Sequence, residues 1–392
     1  MSSEAAFIPL SVPDLQGREW ELIKDCLDTG WVSSVGAYVD RFEKSLAEQA
    51  GTSYAVATSS GTAALHVALL VAGVKPGDLV LVPSMTFIAP VNAITYVGAV
   101  PVFMDAEPRH WQMDVGLMEI FLTEECVFRA DGLFHKDSGA RVAALLPVHV
   151  LGHPVDMEHL MKLARTFEIP VIEDATESLG SLYHGKPTGG LGHVGCFSFN
   201  GNKIITTGGG GMLVTENADW AKRAKYLTTQ AKDDPVEYIH GEIGYNYRLT
   251  NLQAAMGCAQ MERLARMVAQ RRQIRERYFN SLRELPGLTF QEEAPNVTSN
   301  FWLSTLLVDE KKCSISARAL RQKLSAERID SRPLWQPIHQ SPAYRRSGWV
   351  GAAACPVAER LFDQALSLPS TSSLSEKDVD RVLRAIRYAL EV

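Results

Sequence analysis

The chain has 392 residues, 46% hydrophobic and 21% charged, enough apolar material for a large globular core and a length that suits two or three domains. Thirty-nine Lys and Arg against 45 Asp and Glu give a net charge of −6 with no basic arm, which argues against nucleic acid as the main partner. The longest nearly apolar run, 63–74, is too short to cross a bilayer at roughly 20 residues, MSSEAAFIPL lacks a signal-peptide pattern, and the six cysteines form no CxxC pair; the expectation is a cytoplasmic protein, off the membrane, with reduced and mostly buried thiols.

The first 50 residues carry two helical patterns, REWELIKDCLDTG and YVDRFEKSLAEQAG, each closed by a glycine. Seven short apolar runs follow: SYAVATS (53–59), LVLVPS (79–84), VPVFMDA (100–106), AALLPVHV (143–150), IPVIEDA (169–175), GCFSFN (195–200) and GMLVTE (211–216). Helix-length segments such as TAALHVALLVAG separate most of them, which predicts a seven-stranded, mainly parallel sheet of α/β class. Only a glycine-rich loop joins the last two runs, so that pair is expected antiparallel. From Leu252 the pattern reads as one long connector helix ending at Pro286-Gly287, followed by a smaller α+β domain; 331–346 is a loop. The expected division is 1–251 for the large domain with its N-terminal helices and 252–392 for the connector and small domain.

Chemistry concentrates in three places. Ser60-Gly61-Thr62 joins the first strand to an apolar helix, where free N–H groups and hydroxyls suit an anion such as phosphate; an ordinary Ser or Thr N-cap fits the same residues. Asp174 ends a buried strand, where a carboxylate needs a cationic or N–H partner, either a protonated heterocycle or a bland protein group. Glu173 and Glu177 flank it, and three carboxylates in five positions imply that at least one faces solvent. Lys203 lies in a tight loop beside four glycines, where a lysine can act as a nucleophile on carbonyls or simply be solvated. His149, His153 and His159 do not have zinc-site spacing, so no metal is expected. A phosphate cradle, a carboxylate at a strand end and a loop lysine, in that order, together describe pyridoxal phosphate, which offers a phosphate, a ring nitrogen and an aldehyde that bonds to lysine.

The motifs TGWVSSVGAYVDRFE, SSGTAALHVAL, PSMTFIAPVNAI, VHVLGHPVDM, VIEDATESLGS, FSFNGNKIITTGGGGM and GYNYRLTNLQAA carry a resemblance over nearly the whole chain. The chain resembles the DegT/DnrJ/EryC1/StrS family of pyridoxal-phosphate-dependent sugar aminotransferases. The resemblance implies the fold-type I, aspartate-aminotransferase-like architecture and a homodimer with its active site at the subunit interface. It implies Lys203 as the cofactor-bonding lysine and proton shuttle, Asp174 as the partner of the ring nitrogen, and Phe87 as the residue stacked on the ring. Gly61, Thr62, Ala63 and Ser198 would form the phosphate cradle, with Asn246 reaching it from the second subunit. Where many relatives have Gln or His, this chain has Glu177 near the cofactor's phenolic oxygen; two negative oxygens would repel there, so Glu177 is expected either to be protonated or to turn away toward a cation.

The GNKIITTGGGG and EDATES segments resemble the subgroup that aminates C4 of nucleotide-linked 4-keto-6-deoxy-N-acetylhexosamines for bacterial surface glycans, with L-glutamate as donor and UDP as the expected nucleotide. Arg248, Arg332 and His339 lie in segments similar to the family's substrate-contacting loops; surface or interface salt bridges are the alternative for each. The rival substrates are a 3-keto hexose and an antibiotic aminocyclitol. Outside catalysis, the rivals are a regulatory homologue that keeps the pocket and a module that only grips sugar nucleotides.

Overall fold

The computed structural model describes residues 6–234, 236–344, 350–351 and 354–391; the first five residues of MSSEAAFIPL, and Arg345 and Arg346 at the end of the 331–346 loop, lie outside them. All seven expected strands form: β1 (Tyr54–Thr58), β2 (Leu79–Pro83), β3 (Val100–Met104), β4 (Val142–Leu145), β5 (Ile172–Asp174), β6 (Val194–Ser198) and β7 (Gly211–Thr215). β4 stops short of its expected end because Pro147 has no N–H for the ladder. Hydrogen bonds join β3-β2-β4 and β5-β6-β7-β1, and two parallel bridges, Leu145 to Val171 and Val148 to Asp174, link β4 to β5. The result is one sheet in which only β7 runs antiparallel, paired with both β6 and β1. The short Val350–Gly351 strand adds in parallel beyond β3.

Side chains alternate across this sheet with a period of two. Val80, Val82 and Phe103 enter the core beneath helices α3 (Gly61–Val71) and α4 (Ile88–Tyr96), whereas Leu79, Leu81, Val102 and Met104 enter a second core with α5 (Met157–Phe167). Each fully buried aliphatic side chain contributes roughly 1.5–3 kcal/mol of transfer free energy. The N-terminal helices α1 (Glu19–Thr29) and α2 (Ala37–Ala50) end as expected, at Gly30 (φ 76°) and Gly51 (φ 68°) in the left-handed region.

The expected single connector is two helices, α6 (Asn251–Met261) and α7 (Leu264–Leu282). No proline or glycine marks the break. It forms where Arg263 turns to donate to the Asp14 carboxylate at 3.0 Å and Glu262 pairs with Arg18 and Arg41, contacts more than 200 residues away in the chain. Ala254, Ala255, Cys258 and Ala259 of α6 pack in the core of the large sheet, while Ile274, Tyr278 and Leu282 of α7 belong to another core. That core covers an antiparallel sheet of β8 (Leu288–Phe290), β9 (Ser304–Val308) and β10 (Ala365–Leu368), with helices Ala317–Ala326 and Glu376–Ala389 against it. The hairpin Cys126–Arg129 and Gly132–His135 was not anticipated; its signal was the Ala130-Asp131 turn closed by Gly132. Among the described residues, no helix is long and apolar enough to cross a membrane. All six cysteines are free thiols, five of them buried and Cys313 half-buried.

Candidate active site

Because the strands are parallel, the turns after β1, β2, β5 and β6 open on one edge of the sheet, the edge where α/β proteins hold ligands. There they enclose a cavity of about 390 Å3. Gly61, Thr62, Phe87, Asp174, Glu177, Ser198 and Lys203 all line it, although 142 positions separate the first from the last. Trp302 and Trp335 close it from the C-terminal part of the chain.

At the start of α3 both readings of Ser60 meet. Its Oγ caps the helix by accepting the Ala63 N–H at 3.1 Å, which leaves the Gly61 and Thr62 N–H groups without a hydrogen bond among the described residues. These two donors and the positive end of the helix face the cavity. Gly61 is required by close approach: a Cβ there would lie 2.8 Å from Ser198 Cβ. Ala63 does not belong to the lining, since its N–H is spent on the cap and its methyl is buried in the core.

None of the three clustered carboxylates faces solvent, contrary to expectation. Glu173, with no exposed surface, accepts N–H groups from Gly189, Leu191 and Gly192 and pairs with His149 Nε2 at 2.9 Å. His149 Nδ1 accepts the Val155 N–H at 3.2 Å, which places the ring proton on Nε2 toward Glu173. Asp174, 2% exposed, accepts the Thr176 N–H at 3.1 Å, and burial raises its acid above the ordinary range. Glu177, 4% exposed, accepts the Leu151 N–H at 2.8 Å and lies 3.6 Å from Lys203 Nζ; burial raises its acid to about 7, a rise that Lys203 opposes. It therefore stays in the cavity, and the cation it meets is Lys203.

Lys203 emerges from a turn in which its N–H donates to Asn200 O at 3.0 Å. Its Nζ lies over the Trp302 ring, 4.3 Å from the centroid, and Trp302 stacks on Trp335 with an interplanar angle of 9°. Phe87 is 53% exposed at the cavity mouth, while Thr86 beside it is buried with its Oγ1 unpartnered among the described residues. The two tryptophans and Thr86 escaped the sequence reading: each lies in an ordinary strand or loop pattern, and no spacing connects them to Lys203.

The other expected residues lie off the cavity in this chain. Asn246 is exposed, and Arg248 Nε and Nη2 both donate to its Oδ1 at 3.3 Å. Their neighbours Tyr245 and Tyr247 turn inward instead, onto the buried His66. Arg332 is surface-exposed and pairs with Asp330 at 3.2 Å. His339 is buried, its Nδ1 2.6 Å from Ser84 Oγ and its Nε2 3.0 Å from Glu359, so it braces the loop of Trp335 against the end of β2. His153 is held between Pro154 O and the Ala294 N–H, and His159 meets Glu119, so neither ring turns toward His149.

The model of the DegT/DnrJ/EryC1/StrS aminotransferase family matches residues 13–387. The chain belongs to this family. It is 41% identical to EpsN of Bacillus subtilis, named as a pyridoxal phosphate-dependent aminotransferase, over 97% of this chain and 95% of the relative. It is 37% identical to a GDP-perosamine synthase of Caulobacter vibrioides, over 99% and 100%. Among solved structures, DesV of S. venezuelae superposes with a TM-score of 0.87 at 31% identity, covering 99% of this chain and 100% of DesV. The fold is thus the fold-type I architecture of these enzymes, and the chain is a pyridoxal phosphate-dependent sugar aminotransferase. Its own geometry fits the cofactor: two unspent N–H donors suit a phosphate, a buried carboxylate with raised proton affinity suits a ring N–H, a lysine amine faces the same cavity, and Thr86 Oγ1 awaits a partner.

Proposed function

We propose that this aminotransferase moves the amino group of L-glutamate to the C4 ketone of a nucleotide-linked 4-keto-6-deoxy sugar in the cytoplasm, for bacterial surface glycans. The observation that carries it is the convergence of Lys203, Asp174 and the start of α3 on one cavity. Pyridoxal phosphate bound there supplies the aldehyde that takes up amino groups and a ring that draws electrons from the carbon losing its proton.

The chain's own residues do the rest. The Gly61 and Thr62 N–H groups and Ser198 would hold the phosphate, Asp174 would accept the ring N–H and keep that nitrogen charged, and Phe87 would cover the ring. Lys203 Nζ is the base that takes the proton from the α carbon of the donor. Glu177, beside it, has its acid raised by burial to about 7 and so carries only part of its negative charge near neutral pH, which would limit the repulsion expected at the phenolic oxygen. Trp302 and Trp335 exclude water.

The acceptor reading is supported by names of relatives. One is GDP-perosamine synthase; another, 30% identical over 98% of both chains, is UDP-4-amino-4-deoxy-L-arabinose–oxoglutarate aminotransferase of Shewanella sediminis. Both products are nucleotide-linked, the second carries its amine at C4, and oxoglutarate is what glutamate becomes on giving up its amino group. The names of these relatives support trying GDP beside UDP as the nucleotide. Turnover of 4-keto-6-deoxy sugars on GDP, UDP and UDP-N-acetyl forms, against a 3-keto hexose, tests the reading; exclusive use of the 3-keto sugar sinks it.

The second subunit belongs to the same proposal. Asn246 is exposed, Arg248 is half-buried, and the stretch before them in the chain exposes Val236, Tyr238, Ile239 and Ile243, features suited to reaching the cavity of another copy. Arg332 and His339 have less support as substrate ligands, given their places in the chain.

A further inference from the structure

Arg271, in the middle of α7, is a buried charge without a carboxylate ion pair among the described residues. The nearby Asp14 carboxylate pairs with Arg263 instead. Arg271 Nη1 donates to the Trp302 backbone oxygen at 2.6 Å and Nη2 to Ser11 Oγ at 3.3 Å, while Nε is buried and has no partner among the described residues. Burial lowers its proton affinity to about 10. A buried guanidinium so incompletely satisfied adds little stability over an apolar side chain, so its use lies in what it fixes.

What it fixes is Trp302. The indole Nε1–H donates at 2.7 Å to the backbone oxygen of Asn202, which precedes Lys203 in the chain, and the same oxygen accepts from Ser11 Oγ at 3.1 Å. The ring face then lies against Lys203 Nζ, with Glu177 Oε1 3.6 Å from the amine and Asp174 as the further charge in the cavity. We infer that Trp302 is a positioning residue that holds the Lys203 amino group at the cavity wall, and that Arg271 holds Trp302 from behind. A lysine side chain has four rotatable bonds, and a reacting amine must keep a narrow geometry; an aromatic face attracts the ammonium and blocks the rotamers that swing it away. The inference rests on the reading of Lys203 as the amine of the reaction.

The test uses the cofactor-loaded protein with Trp302→Leu, Trp302→Phe, Arg271→Met and Lys203→Ala. The readouts are the visible circular dichroism of the lysine-bound cofactor, the rate of band loss with L-glutamate, its half-saturating concentration, and Tm. Trp302→Leu is expected to lose at least half the visible dichroism and to slow band loss about tenfold, with half-saturation within about twofold of the parent. Trp302→Phe, which keeps a ring face, should recover most of the dichroism. Arg271→Met should change in the same direction as Trp302→Leu, with less than additive effect in the double variant. Parent-like dichroism and rate in Trp302→Leu would overturn the inference, as would equal losses in the Leu and Phe variants that follow only the fall in Tm. Should Arg271→Met not fold, the Trp302 pair decides alone. A parent-like band in Lys203→Ala overturns the underlying reading of Lys203 and this inference with it.

Discussion

The turns after β1, β5 and β6 and the segment Tyr245–Arg248 treat their polar groups in opposite ways. The turns bury theirs: Asp174, Glu177 and Lys203 face one cavity, each partnered within the chain. The segment exposes its own: Asn246 and Arg248 point outward and hydrogen-bond mainly to each other, while Tyr245 and Tyr247 anchor it on His66. A pocket built by consecutive strand ends can be complete in one chain, whereas outward residues on a rigid aromatic anchor serve a surface that something else completes. Lys203, Asp174 and the start of α3 therefore converge within one chain, whereas under the proposal above Asn246 and Arg248 serve the site of a second copy.

The largest effect should come from the buried side. Lys203→Ala should lose at least about 10³-fold in turnover, because among the described residues no other lysine lines the cavity, with little change in Tm. Turnover within tenfold of the parent would break the comparison at its centre. Asp174→Asn comes next: it keeps the shape and removes the charge that holds the ring nitrogen protonated, and should cost about 10²-fold in turnover while the cofactor still binds. On the outward side, Asn246→Ala should weaken cofactor binding by about 1 kcal/mol, near fivefold in Kd by titration. Mixing Asn246→Ala with Lys203→Ala should then give one site of parent-like cofactor affinity and turnover per mixed dimer, roughly a quarter of all sites at random exchange, read at a cofactor concentration below the Kd of Asn246→Ala. No recovery on mixing would show that each chain's site uses its own Asn246 or none.

The smallest effect sharpens the buried side through pH. Glu177 has its acid raised from 4.5 to about 7 in the folded chain. Between these values the folded protein holds a proton that the unfolded one has released, so stability falls as pH rises through this window and the full penalty stands above pH 7. Glu177→Gln removes the titration. Relative to the parent it should gain on the order of 1 kcal/mol at pH 8, less than the shift alone implies because Lys203 loses its carboxylate, and the gain should vanish near pH 5. Parallel Tm curves from pH 5 to 8 would show that the Glu177 charge is immaterial to the fold.

Strong local signals were readable without coordinates. All seven strands, the antiparallel pair and the glycine ends of α1 and α2 follow from periodicity and turn chemistry. Gly61, Asp174 and Lys203 stood out because each breaks a local pattern, with a glycine at a helix start, a charge in an apolar strand and a lysine among glycines. Trp302, Trp335 and Thr86 break none, so their place at the cavity was invisible. The break between α6 and α7 was equally hidden, since Arg263 and Glu262 find their partners in the N-terminal segment.

Periodicity, turn chemistry and motifs suffice for the sheet, for Gly61, Asp174 and Lys203 at its strand ends and for the family, because strands, turns and caps answer to neighbours a few residues away. Tertiary structure alone decided that Glu173, Asp174 and Glu177 are all buried, that Glu177 meets Lys203, that His339 braces a loop, and that two tryptophans and a buried arginine stand behind the lysine. The difference is one of range: desolvation and charge pairing depend on what comes within a few ångströms in space, and such neighbours lie as far as 100 and 255 positions away in the chain.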